Sequence, residues 1–75
     1  MNSFWIGLLT TALKGLIGSI VWKEVEQLVA DIAMTGLSGA EKRQRVLADL
    51  RRAFANVPNY LLNLAIEVAV ARSKS

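Results

Sequence analysis

Between Phe4 and Trp22 the chain carries one formal charge, Lys14, in 19 residues. A run of that length and polarity must be covered on nearly all sides or meet lipid, since water disfavours exposed apolar surface by roughly 25 cal/mol per Å². The run reaches the length needed to cross a hydrocarbon core of about 30 Å. Lys14, Thr10, Thr11, Ser19 and three glycines dilute it. A removable signal is the less favoured reading, because the charged n-region is missing and no convincing small-x-small pattern follows Ile20. The chain therefore divides into a hydrophobic, membrane-inserting segment over 1–22 and a small helical domain over 23–75, where most of the charge lies.

The remaining composition removes most other means of stabilising so small a unit. With 75 residues, no cysteine and no histidine, there is no disulfide framework, no Cys/His zinc site and no imidazole to serve as base or switch. Hydrophobic residues make up 53% and the mean hydropathy is +0.38, more apolar surface than one small core covers. Packing, a membrane or partner subunits must supply the rest. The formal charge of +3 suits anionic partners in general.

Strict alternation is absent and β-branched residues fall at helical spacing, so the fold class is all-α. The pattern predicts a long first helix from about Ser3 to Met34, roughly 45 Å if unbroken, with Gly15 or Gly18 as the places where it would bend. Gly36 is placed to adopt the left-handed position after this helix, with Leu37 closing its hydrophobic contact. Ser38-Gly39-Ala40-Glu41 is a capping box: the Ser38 hydroxyl accepts from the Glu41 amide, and the Glu41 carboxylate reaches back to the Ser38 amide. A second helix follows over about 38–55. Asn56-Val57-Pro58 ends it, and a third helix runs over about 58–72. The short connection between these two makes them a helical hairpin. The third helix, apolar as far as Ala71 except for Asn59, Asn63 and Glu67, should be the most covered, with Tyr60 at the edge of the core.

Placed at 100° per residue, the first helix shows an apolar side that changes position along its length. In the first half Trp5, Leu9, Leu13, Leu16 and Ile20 share a broad apolar side, opposite a strip made of Gly7, Thr11, Lys14, Gly15 and Gly18. In the second half Val21, Val25, Leu28, Val29 and Ile32 continue the strip, while Lys23, Glu24, Gln27 and Asp31 continue the formerly apolar side. A helix leaving a bilayer has reason to reverse in this way. Trp22 and Lys23 would then anchor at the head groups, with Trp5 toward the other interface. Gly7, Thr11, Gly15 and Ser19, spaced by four with Lys14 among them, would let a second helix approach closely. The competing reading is a helix packed tightly within a soluble helical assembly.

Lys42, Arg43, Arg45, Arg51 and Arg52 make the second helix basic. This is either a solvated face, partly paired through Asp49, or a contact for anionic lipid, with Lys42, Arg43, Arg45 and Arg52 as the contacting residues. Nucleic acid is disfavoured, because no zinc-finger spacing or RNP-like aromatic motif is present and the third helix is too poor in charge to read bases. No nucleophile with a base, paired carboxylates, metal-ligand spacing or phosphate loop occurs, so no enzyme, cofactor or metal is expected.

The opening Phe4–Trp22 segment, the Glu26-Gln27 pair, the Gly39-Ala40-Glu41-Lys42 turn entering a basic helix, and Ile66-Glu67-Val68-Ala69-Val70 together resemble the small phage holins of the LLH type. That resemblance implies accumulation in the bacterial inner membrane and opening of lesions that release a phage lysis enzyme. The expected partners are further copies of the chain and membrane lipid. The excess of Lys and Arg after the span places the tail in the cytoplasm. The alternative is a soluble helical subunit of a virion or tail, an ejection component, or a phage inhibitor of a host protein. That subunit would multimerise through the same apolar helix, with the virion or host cytoplasm as its location.

Overall fold

A computed structural model describes residues 3–74. All regular structure among them is helical: α1 Ser3–Ile17, α2 Ser19–Ala33, α3 Gly39–Ala53 and α4 Asn59–Lys74. The long first helix expected over 3–34 is two helices of 15 residues each, separated by one residue. Gly18 sits at φ 89° and ψ 155°, a combination essentially reserved for glycine. It is the one described residue with positive φ. The Gly18 amide still donates to the Lys14 carbonyl at 2.9 Å, and the Gly18 carbonyl accepts from the Trp22 amide at 3.1 Å. Each helix thus keeps its hydrogen bonds up to the corner, and the change of direction is confined to one peptide. An unbroken helix of 31 residues would measure about 46 Å, whereas the largest extent of the molecule is 30 Å.

The helices pack as a thin block of 30 × 29 × 17 Å with a radius of gyration of 11.6 Å, close to the roughly 11.3 Å of a compact chain this long. Helices α2 and α4 each pack against all three others, whereas α1 and α3 lie apart on opposite flanks. The core is one cluster. Leu13 and Ile17 of α1 meet Val21, Trp22, Val25 and Val29 of α2, Val46 and Leu50 of α3, and Leu62, Ala65, Ile66, Val68 and Ala69 of α4. The third predicted helix is accordingly among the best covered, although Tyr60 stands 71% exposed rather than at a core edge.

Local chemistry explains the other boundaries. Gly36 does not adopt the left-handed conformation expected of it. Instead α2 tightens at its end: Met34 donates to Asp31, Thr35 donates to Ile32, and the Thr35 hydroxyl donates to the Ile32 carbonyl at 2.7 Å. These i, i+3 bonds satisfy the last carbonyls without a glycine. Ser38 caps α3 as expected, its hydroxyl accepting from the Glu41 amide at 3.2 Å. The return arm differs, since the Ser38 hydroxyl itself donates to the Glu41 carboxylate at 3.0 Å. Helix α3 ends at Ala53, two residues earlier than expected, where the Phe54 amide bonds to Leu50 at 2.8 Å. The Pro58 carbonyl accepts from Leu61 and Leu62 at 3.0 and 3.2 Å, so Pro58 immediately precedes α4.

A Cβ at Gly15 or at Gly18 would meet nothing within 4 Å, so their substitutions separate backbone conformation from steric fit. Gly18→Ala should destabilise the dilute chain by about 1–3 kcal/mol. Gly15→Ala, in an exposed helix interior, should stabilise it by about 0.5–1 kcal/mol. Urea denaturation at low protein concentration measures both, and equal effects would contradict the assigned corner.

Candidate interaction face on the first helix

Which arc of α1 turns inward follows from the corner. Ile6, Thr10, Leu13 and Ile17 are buried, spaced i, i+4, i+7 and i+11, and they face α4 and α2. This arc only partly coincides with the apolar side read from the sequence. Of that side Leu13 is buried and Leu9 half-buried, whereas Trp5, Leu16 and Ile20 point outward. Residues from Phe4 to Ile17 are apolar over most of the helix circumference, and periodicity cannot decide which part of so wide an arc goes inside.

The consequence is an exposed apolar face. Phe4 is 67% exposed, Trp5 56%, Leu8 48%, Leu16 68% and Ile20, just past the corner, 78%. The Phe4 and Trp5 rings meet edge to face with centroids 5.8 Å apart. Side chains of this size present roughly 150–250 Å² each when aromatic, so the five together expose several hundred Å². The whole molecule exposes 5015 Å², against about 4500 Å² for an average monomer of its mass. No acidic residue occurs between Ser3 and Lys23, while Lys14 and Lys23 lie exposed. The hydroxyl of buried Thr10 donates to the Ile6 carbonyl at 2.7 Å, and that of Thr11 to the Gly7 carbonyl at 3.0 Å. Both threonines are thus satisfied within their own helix.

The small strip of Gly7, Thr11, Lys14 and Gly15, continuing to Gly18 and Ser19, is exposed along its length, and a Cβ at Gly7, Gly15 or Gly18 would meet nothing within 4 Å. Trp22, assigned from the sequence to a membrane interface, is instead a core residue, 1% exposed, with its indole Nε1 lacking a hydrogen-bond partner. With the corner at Gly18, Trp22 joins one core cluster with residues of α1, α3 and α4. Lys23 remains outside, as does Trp5.

The basic side chains of α3 do not form one cluster with α1, since the two helices do not touch. Arg43 pairs with Glu67 of α4 at 2.7 Å, and Arg72 of α4 pairs with Glu26 of α2 at 3.4 Å. These are the ion pairs among the described residues, and Asp49 is in neither. All four side chains are roughly half exposed, a setting in which each pair contributes at most about 1 kcal/mol. Lys42 is half-buried, and Arg45 and Arg52 are exposed. An open groove of about 530 Å³ separates the ends of α2, α3 and α4, with Val29, Ile32, Val46 and Val70 among its walls and Lys42 and Arg43 at its edge. Among the described residues no three acidic groups gather as metal ligands. No helix described is long and apolar enough to cross a membrane; α1 is about 22 Å long.

No protein-family model, curated protein or solved structure matches the chain.

The two tryptophans should report separate environments. A Trp5→Phe variant, whose emission comes from Trp22, should resist acrylamide quenching severalfold better than Trp22→Phe, whose emission comes from Trp5. Equal quenching would contradict the burial of Trp22.

Proposed function

We propose that this chain is a small membrane-active helical protein of the holin-like kind that its sequence resembles, engaging the bacterial inner membrane through α1 and gathering into oligomers there. The observation that carries the reading is the outward face of Phe4, Trp5, Leu8, Leu16 and Ile20 on a segment whose only charges, Lys14 and Lys23, are positive. Aromatic and aliphatic side chains beside lysines suit the boundary between anionic head groups and acyl chains. Burying 300 Å² of such a face contributes about 7 kcal/mol before the costs of association. A helix of about 22 Å is too short for a hydrocarbon core of about 30 Å but long enough to lie along its surface. The exposed small strip from Gly7 to Ser19 is the surface through which neighbouring α1 helices meet in this reading. The basic residues of α3 add a second, weaker attraction to anionic lipid.

A soluble helical subunit that multimerises through the same face, in a virion or on a host protein, is the second reading. The continuous core shared by all four helices favours it, because α1 already has a folded place without lipid. Flotation with vesicles of phosphatidylglycerol and phosphatidylethanolamine separates the two. The membrane reading predicts that the chain floats and that Leu16→Glu, at an exposed position, lowers the bound fraction tenfold or more while changing stability by no more than about 0.5 kcal/mol. A discrete oligomer that never floats would replace it with the soluble reading.

A further inference from the structure

We propose that the surface of α2 and α4 covered by α1 is also the docking site for α1 of a second copy, giving a domain-swapped dimer in which α1 and α2 fuse through Gly18 into one straight helix. The connection between α1 and α2 is a single residue, and the helical bonds run intact to either side of it. Rotation of Gly18 from φ 89° into the helical region would let Ser19, Ile20 and Val21 donate to Gly15, Leu16 and Ile17, bonds that a corner forgoes. Straightening would recover those bonds, and the packing of α1 on α2 and α4 opposes it. A one-residue hinge whose bend forgoes helical bonds is an arrangement that promotes exchange of identical elements.

The part exchanged is also separable. Helix α1 joins the core through Leu13 and Ile17, with Leu9 packed against it, while the ion pairs Arg43–Glu67 and Arg72–Glu26 lie wholly within α2, α3 and α4. An identical α1 from another copy makes the same contacts, so the swap needs no new complementarity. Straightening carries Gly7 about 40 Å from Met34, beyond the 30 Å extent of the folded chain, which brings α1 clear of its own body and within reach of a partner. Gly15, Gly18 and Ser19 beside the exposed Leu16 and Ile20 let the two straightened helices cross closely and bury apolar surface at the crossing.

The test uses the full chain, which has no native cysteine, with spin labels on a Gly7→Cys, Met34→Cys variant diluted into unlabelled protein. In the dimer fraction the distance within one chain should lengthen to about 40 Å, and in the monomer it should stay within the folded extent. Ser19→Pro places proline at the first position of α2, which helices favour there and which suits the ψ of 155° at Gly18, but a continuous helix excludes it. It should weaken dimerisation tenfold or more without lowering the melting temperature of the monomer. Gly18→Ala should tighten dimerisation tenfold or more; if that variant does not fold, wild type against Ser19→Pro decides. A wild-type dimer with the short distance, undiminished dimerisation of Ser19→Pro, or a chain that stays monomeric at millimolar concentration would each overturn the proposal. Vesicle binding is read separately, so neither result determines the other.

Discussion

The fold depends on one backbone conformation. Gly18 at φ 89° and ψ 155° turns a 31-residue run of helix-forming sequence back on itself. Only because it does so can Leu13 and Ile17 share a core with Trp22, Leu50, Leu62 and Ile66. A chain of 75 residues has little other means of closing, as it lacks disulfides and the two ion pairs among its described residues are half exposed. The corner exchanges a few helical hydrogen bonds for a fourth helix in the bundle. In a protein whose net stability is of the order of 5–15 kcal/mol, that exchange decides whether the molecule is a compact block or a rod with a hairpin attached.

The corner also determines what is left outside. Helix α1 is apolar around most of its circumference, and a helix at the flank of a thin block can bury only one arc. Burial of Ile6, Leu13 and Ile17 therefore leaves Phe4, Trp5, Leu8, Leu16 and Ile20 facing outward. Exposure of the apolar face of α1 and closure of the core are two consequences of the same turn. A swapped dimer would cover Leu16 and Ile20 at the helix crossing and leave Phe4, Trp5 and Leu8 outward on each copy.

Much of this was legible in the sequence where local chemistry is strong. The Ser38 cap and the helix it opens, the break before Pro58, and the well-covered last helix were each set by short-range signals that packing reinforced. The corner was not. Gly15 and Gly18 are equivalent in local pattern, and only the tertiary fit of Leu13 and Ile17 onto α2 and α4 selects Gly18. The change of apolar face near Val21 is a real signal of discontinuity, but a reversal of environment and a reversal of direction produce the same pattern. For the same reason Trp22, which suits a membrane interface by residue type, is a core residue once the axis turns. The exposure of Leu16 and Ile20 follows from that direction and could not be read from periodicity.

Small-angle X-ray scattering of the dilute monomer tests the corner most directly. A chain folded at Gly18 should show a pair-distance function that ends near the compact extent, at about 45 Å with its side chains and hydration. A straight first helix with a hairpin at one end would extend the function past about 50 Å, and that result would contradict both the shared core and the outward face of α1 derived from it.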